Sequence, residues 1–256
     1  MEFVENRILE LGPGVFIRNA VDNATWADLG EGVVVVDALE DPNLAPVIQN
    51  CIRAAVGKPM KWLINTHWHA DHTACNPIWA RQGVTVITHE SVGPPTLPGD
   101  GRPDITFHDR YTLRPGERAV EVEYLGGTHT PWDSVVYFTW AKVLHVADLF
   151  GWGMIPLARW DEQKVPRLRE VLGRVLAYDA DVLIPGHGPV LTRNHIRRWL
   201  QYFEELLAQV PAMARARKSL AEVAAALPPP EDMRDWWRFV DWKHGYNLKM
   251  LWEAYR

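Results

Sequence analysis

Four consecutive valines, Val33–Val36, constrain the fold of this 256-residue chain more than any other stretch. A continuous β-branched run suits a strand buried on both faces, because both sets of side chains then contact other layers. The neighbouring stretches alternate between strand and helix patterns, so the order βαβαβ predicts a layered α/β fold. Strands are predicted in GVFIR, KWLINT and VTVITH, and helices in DPNLAPVIQNCIRAAVG and NPIWARQG.

The second half of the chain continues this alternation after a loop. Residues 92–110 are rich in proline, glycine and aspartate, so we predict a long surface loop of the kind that often serves as a lid or binding loop. A helix is predicted from about Asn194 to Leu207, with a continuation bent at Pro211 towards Leu227. The other predicted elements are the strands AVEVEYLGG, SVVYFTW, KVLHVAD and DVLIPGHG and the helix VPRLREVLGRVLAYD.

Composition and charge exclude several classes of function. The net charge of -5 argues against a basic face, so no nucleic-acid partner is expected. No run approaches the ~20 apolar residues of a membrane span, and the opening MEFVENRILELGPG lacks the regions of a signal peptide. Two cysteines do not make a disulfide framework, so a cytoplasmic location is the simplest expectation.

Three of the ten histidines fall within residues 67–72, directly after the predicted strand KWLIN. Ligands of α/β sheets bind beyond the carboxyl ends of strands. In extended chain, residues two apart face the same way, so His67, His69 and Asp71 are expected to converge while His72 diverges. Imidazole and carboxylate ligands in two directions favour two metal ions over one.

Three further predicted strands end near a histidine or an aspartate. His129 follows AVEVEYLGG, and Asp148 follows KVLHVA, where a buried carboxylate needs a partner. His187 lies between glycines that allow the backbone to approach a ligand closely. Asp133 either orients the His129 loop or makes a local turn. Together with the histidine cluster, these residues predict a metal site at the strand ends.

The motifs THWHADH, GTHT, ADL and PGHGP resemble the metal-binding pattern of the metallo-β-lactamase superfamily over about residues 12–205. The resemblance implies a four-layer αββα sandwich of the α/β class, in which Asp37 supports a metal-binding histidine. We expect a catalytic domain of residues 1–227 and a C-terminal helical, tryptophan-rich extension, residues 228–256. Carried over residue by residue, the first metal site is His67, His69 and His129, and the second is Asp71, His72 and His187, with Asp148 bridging both.

The residue at the bridging position bears on function. Many true β-lactamases of the superfamily place a cysteine on the second ion, whereas Asp148 stands here, which favours lactone, thioester, ester and phosphodiester hydrolases. Cys75 matches no family ligand and is expected to be a small buried residue. Ala38 and Ala147 depart from the family pattern, but both are small, so neither disturbs the expected metal site.

The resemblance therefore implies a dinuclear metal-dependent hydrolase that holds two divalent ions, zinc first, with manganese or iron as alternatives. Two ions about 3.5–4 Å apart generate hydroxide from a bridging water at neutral pH, and the hydroxide attacks an ester-like bond. Asp71 is the expected catalytic residue, because it is placed to hold or move a proton as well as to bind metal. Hydrolysis of β-lactams is expected as a side activity.

Alternatives from other classes stay open. The main one is an iron-dependent oxidoreductase of the oxygenase type on the same fold, although mono-iron members lack the full second site that Asp71, His72 and His187 complete here. A nuclease is disfavoured by the acidic charge. A non-catalytic binding module would be indicated by lost ligands, and no ligand is lost.

The sequence says least about the substrate. Trp68, Trp132, Trp152 and Trp160 lie beside the motifs, and a groove rimmed by indoles suits a small molecule with an apolar or aromatic group; core packing is the other interpretation. The extension is expected to pack on its own core or to form the contact of a homodimer. The histidines outside the motifs are expected to be surface or satisfied core residues: His89, His108, His145, His195 and His244.

Overall fold

The computed structural model describes residues 6–91, 103–156 and 159–256. Within these residues, the strands form two sheets. The seven-stranded sheet runs in chain order through β1 (Arg7–Gly12), β2 (Val15–Asn19), β3 (Ala24–Asp28), β4 (Val33–Val36), β5 (Met60–Ile64), β6 (Thr85–His89) and β7 (Ile105–Phe107). The five-stranded sheet comprises β8 (Arg110–Leu113), β9 (Val120–Tyr124), β10 (Ser134–Phe138), β11 (Val143–Ala147) and β12 (Val182–Pro185), side by side in the order β12-β11-β10-β9-β8.

Helices connect these strands and complete the chain at its C-terminal side. They are α1 (Ala45–Ala55), α2 (Ala70–Thr73), α3 (Asn76–Arg81), α4 (Lys164–Ala177), α5 (Arg193–Arg215), α6 (Leu220–Ala226) and α7 (His244–Tyr255). Short 3-10 turns lie at Pro42–Leu44 and Glu231–Met233, and a π-helical turn at Phe239–Lys243 precedes α7. None of the helices in the described ranges is long and apolar enough to cross a membrane.

Three hydrophobic clusters divide the molecule into four layers. Val33 and Val35 of β4 face outward and pack with Ile48 of α1 and Trp79 of α3. The alternate valines of β4 belong to a second cluster, which fills the space between the two sheets. A third cluster joins the outer face of the five-stranded sheet to α4, α5 and α7. The valine run is therefore buried on both faces, and the predicted αββα sandwich is confirmed.

Parallel strands bring several loops to the same edge of the sandwich. Strands β4, β5 and β6 are mutually parallel, so their carboxyl ends lie side by side. In the other sheet β11 and β12 are parallel as well, and the chain leaves both at the same end. Loops that follow these strands can therefore converge.

The long predicted loop is only partly a loop. Residues 92–102 lie outside the described ranges, but Ile105–Phe107 forms β7 and pairs in parallel with β6, and β8 begins at Arg110. The surrounding proline, glycine and aspartate residues concealed this three-residue strand, whose Phe107 is buried between the sheets. The prediction of an uninterrupted loop over residues 92–110 was wrong at its C-terminal end.

The predicted long helix ends earlier than expected. Helix α5 runs through Pro211 to Arg215, but the chain then breaks before α6 instead of bending onward to Leu227. The break has a local cause: Ser219 and Glu222 form a capping box, in which each side chain accepts a hydrogen bond from the other residue's backbone N–H, and this starts a new helix.

The C-terminal extension contributes to the third cluster. Met233, Phe239, Leu248 and Leu251 are buried there against the rest of the chain. The division of the chain at residue 227 stays a prediction, because the extension shares this core.

Asn247 of α7 joins the extension to the loop that follows β11. Its buried side chain accepts a hydrogen bond from the backbone N–H of Ile155 (2.7 Å) and donates one to the carbonyl of Gly153 (2.6 Å). We expect Asn247→Ala to lower the free energy of unfolding by about 2–3 kcal/mol, because both buried backbone groups lose their partner. Urea unfolding measures this. Lys249→Ala, on the exposed face of α7, should change it by less than about 0.5 kcal/mol, and equal effects would contradict the assignment.

Candidate metal centre

The histidine motif changes direction in the middle. His67 and His69 lie between β5 and α2, and His69, with the extended values φ -70° and ψ 149°, directly precedes α2. Asp71 and His72 lie in the single turn of α2. The helical turn rotates Asp71 away from His67 and His69, so the expectation from extended alternation was wrong for Asp71. Its neighbours are instead His72 and His187, as the family resemblance implied.

The other three side chains come from loops of the five-stranded sheet. His129 follows β9, Asp148 follows β11 and His187 follows β12. Asp133 shapes the first of these loops: its carboxylate is buried and accepts hydrogen bonds from the backbone N–H groups of His129 and Thr130, both at 2.9 Å. Of the two roles predicted for Asp133, orientation of the His129 loop fits these contacts.

The seven side chains converge at the edge where the strands end. Asp148 lies between the two groups: its Oδ2 is 3.2 Å from His129 Nε2, 3.7 Å from His67 Nε2, 3.6 Å from His72 Nε2 and 3.1 Å from His187 Nε2. Within each group, the potential ligand atoms all lie within 4.8 Å of one another. One group is His67, His69, His129 and Asp148, and the other is Asp71, His72 and His187.

The chemistry of this cluster fits divalent metal ions. His67 Nε2, His72 Nε2 and Asp148 Oδ1 are buried and have no hydrogen-bond partner among the described residues. Buried polar atoms without partners are costly, and here they face a space shared with other nitrogen and oxygen donors. Imidazole nitrogen and carboxylate oxygen are the donor types that zinc and related ions bind.

Polar partners fix the orientation of three of the imidazole rings. His72 Nδ1 donates to Asp37 Oδ2 at 2.9 Å, and His187 Nδ1 lies 2.8 Å from Asp22 Oδ1. The Thr66 hydroxyl donates to Asp37, so its lone pair is free to accept from His67 Nδ1 at 3.0 Å. When Nδ1 carries the proton, Nε2 is left bare and can bind metal.

Asp37 supports both groups at once. It is fully buried, and it also accepts a hydrogen bond from the Thr66 backbone N–H at 2.9 Å. Burial alone would raise the pKa of Asp37, but the facing His72 and His145 outweigh it and hold this pKa well below its usual range. The carboxylate therefore stays ionised.

The backbone approaches the cluster closely at Gly186. A methyl group added there would collide with Asp148 Oδ1 and lie 2.9 Å from His72 Cε1. Ala147 has a left-handed backbone, with φ 48°, which explains why glycine is common at this position in the family.

For residues outside the cluster, the structure decides between the roles that the sequence left open. Trp152 is buried in the third hydrophobic cluster, where its Nε1 donates to the Pro189 carbonyl, so it does not rim an open groove. Trp160 is half-buried against Phe203. Cys75 is buried and bonds to the Asp41 carbonyl, as a small core residue should.

Sequence reasoning missed three supporting residues. His145 is buried with its Nε2 3.5 Å from Asp37 Oδ2, although it has no motif around it. Asp22 comes from the turn after β2, and no local pattern marks it. Thr66 directly precedes His67, and this position is a signal in the sequence for its supporting role.

Comparison with known proteins agrees with this geometry. Residues 20–187 match the sequence profile of the metallo-beta-lactamase superfamily. This chain belongs to that superfamily. The match includes all seven residues of the cluster.

Two curated relatives are similar over most of this chain. The alpha subunit of 2,4-dinitroanisole O-demethylase from Nocardioides sp. (strain JS1661) is 27% identical over 203 residues, which are 75% of this chain and 58% of that protein. Hydroxyacylglutathione hydrolase from Anaeromyxobacter dehalogenans (strain 2CP-C) is 30% identical over 214 residues, 82% of this chain and 74% of that protein. The chain thus spans little more than half the length of the first relative.

Solved structures share the fold. A metallo-beta-lactamase from Pontibacter korlensis superposes with a TM-score of 0.67 at 24% identity, covering 76% of this chain and 97% of that chain. DIM-1 metallo-beta-lactamase gives a TM-score of 0.60 at 20% identity, covering 77% and 96%. At this level of identity the likeness shows the fold alone.

The role of Asp37 leads to a prediction about metal affinity. We expect Asp37→Ala to weaken Zn²⁺ binding about 10–100-fold, because His72 loses its partner and the link to His67 is broken. Calorimetric titration of metal-free protein with Zn²⁺ measures the affinity. Asp109→Ala removes an exposed carboxylate and should leave it unchanged. An unaltered affinity in Asp37→Ala would show that the carboxylate does not support the ligands.

Proposed function

We propose that this protein is a dinuclear metal-dependent hydrolase that cleaves an ester-like bond, with a thioester, lactone or carboxylic ester as the substrate class. The observation that carries the proposal is the position of Asp148, whose Oδ2 lies 3.1–3.7 Å from four imidazole nitrogens of both groups. A carboxylate in that position suits a ligand shared by two ions. Membership of the superfamily and the similarity to a hydrolase support the same reaction class.

Each group of side chains has a distinct role in this proposal. His67, His69 and His129 would hold the first ion, Asp71, His72 and His187 would hold the second, and Asp148 would be shared between them. When bound, the ions supply a nucleophilic water at neutral pH and draw electron density from the scissile carbonyl. Hydrolysis of a thioester then consumes one water and releases a carboxylic acid and a thiol.

The two cluster carboxylates differ in their access to solvent. The Asp148 side chain is 7% exposed, whereas the Asp71 side chain is 36% exposed. Asp71 Oδ2 lies 3.3 Å from His187 Nε2, at the outer side of the cluster. This position supports Asp71 as the residue that holds or moves a proton during turnover.

The proposed substrate carries an apolar or aromatic group. Trp68 and Trp132 are half-buried and directly follow His67 and Pro131 in two loops of the cluster, and this position supports a role for them in substrate binding. Indole surfaces favour such groups. Trp152 and Trp160 no longer support this point.

The test is a substrate panel on the purified protein together with metal analysis. We expect two equivalents of a divalent ion, turnover of a thioester, lactone or carboxylic ester, and weaker turnover of a β-lactam. Chelation should abolish turnover and Zn²⁺ or Mn²⁺ should restore it. The turnover of His69→Ala should fall by more than ~100-fold, the upper effect of losing a residue that only supports a ligand. His108→Ala changes an exposed histidine, and its turnover should match that of the parent. Equal turnover by His69→Ala and the parent would refute the metal role.

A second candidate is cleavage of an aryl ether, favoured by the similarity to the O-demethylase subunit. A nitroaryl methyl ether belongs in the same panel for this reason. Release of the phenol without oxygen uptake would indicate displacement by water, whereas bound iron with oxygen uptake would favour the iron-dependent oxidoreductase. The hydrolase proposal fails if bound iron with oxygen uptake is found and no substrate is hydrolysed.

Asp71 can be tested separately from metal binding. Asp71→Asn keeps an oxygen donor but removes the ionisable carboxylate, so we expect kcat to fall about 10²–10⁴-fold, the range of general acid–base catalysis, while metal content is retained. Steady-state kinetics and metal analysis on the same sample measure both. Asp104→Asn, in another loop, serves as the control. A variant with unchanged kcat would exclude the proton-transfer role.

A further inference from the structure

The C-terminal extension lies against the backbone that carries His187. We call residues 236–243 the aromatic segment. Gly188, with φ 79°, directly follows His187, and a methyl group added there would lie 2.5 Å from Cε3 and 2.7 Å from Cδ2 of Trp237. The indole therefore rests on the peptide backbone beside a predicted metal ligand, in space that a side chain at position 188 would occupy.

Two basic side chains contact the ring of Trp237. Arg238 Cζ lies 4.7 Å and Lys243 Nζ 4.3 Å from the centre of its ring. Lys243 is 1% exposed, and its Nζ has no hydrogen-bond partner in the part of the chain that the structure describes. Burial and the nearby Arg238 lower the pKa of Lys243 to about 7, and contact with the indole face offsets part of the cost of burying the charged form. Lys243 is placed in a π-helical turn, a local distortion often found at functional sites.

The same segment contacts the loop that follows Asp148. Phe239 packs on Gly153, where an added methyl group would lie 2.8 Å from its ring. Trp152 of this loop donates from Nε1 to the carbonyl of Pro189, two residues beyond His187, at 2.6 Å. The loops after β11 and β12 and the aromatic segment thus form one packed unit.

The first group of ligands is held in a different way. His67 is oriented by Thr66, and the His129 loop is organised by Asp133. These supports belong to the sandwich and lie before residue 228. The aromatic segment therefore contacts the loop of His187, whereas the supports of His67, His72 and His129 lie in the sandwich.

We propose that Trp237 is a positioning residue for His187 and thereby sets the affinity of the second metal position. The inference rests on the dinuclear site of the proposed function. Trp237 acts through the backbone of Gly188 and needs no contact with metal or substrate.

The experiment is a titration of metal-free protein with Zn²⁺, resolving the first and second equivalents. Trp237→Ala should leave the first equivalent unchanged and weaken the second about 10–100-fold, the effect of losing a residue that supports a ligand. Trp237→Phe keeps a ring over Gly188 and should show a smaller loss. The matched control is Trp242→Ala, which removes an exposed tryptophan of the same segment and should bind both equivalents as the parent does.

The possible results separate the two proposals. A parent protein that binds fewer than two equivalents overturns the dinuclear function and this inference together. If Trp237→Ala binds both Zn²⁺ equivalents with the affinity of the parent, this inference alone is overturned. If Trp237→Ala loses both equivalents and its circular dichroism signal, it has unfolded, and Trp237→Phe decides: a weakened second equivalent supports the positioning role, and parental affinity overturns it.

Discussion

The histidine and aspartate cluster depends on the buried carboxylate of Asp37. Asp37 stands at the end of the valine strand, with a left-handed φ of 62°, and accepts hydrogen bonds from His72, from the Thr66 hydroxyl and from the Thr66 backbone. Through these bonds one side chain fixes β4, the start of the histidine loop and the turn of α2 relative to each other. An ionised carboxylate is stable at full burial only because these donors surround it.

Much of the architecture was readable from local patterns. The valine run predicted a doubly buried strand, and the order of strands and helices predicted the layers around it. The residues of the cluster stood out because histidine is scarce and because they follow the ends of apolar strands. These signals are local in sequence, so they need no knowledge of which loops meet in space.

The features that escaped prediction depend on distant contacts. Asp22 reaches His187 across 165 positions of sequence, through an isolated β-bridge between these two residues. The neighbours of Trp152 in sequence left a groove role and a core role open, and the structure packs it with Trp236 of the extension. The direction predicted for the Asp71 side chain was wrong because a four-residue helix interrupts an apparently extended motif. In each case the deciding interaction lies outside the window that a sequence pattern covers.

The cluster is divided between the two sheets: the side chains after β5 belong to one, and those after β9, β11 and β12 to the other. Their spacing is therefore set by the apolar layer in which residues such as Val36 and Val136 interlock. Distances between a metal ion and its ligands vary by only about 0.2 Å, so a slight shift of one sheet relative to the other would change the geometry of the cluster. Substitutions deep in this layer can thus tune metal preference without touching any ligand, and selection for a new cation can act on the interior as readily as on the exposed loops.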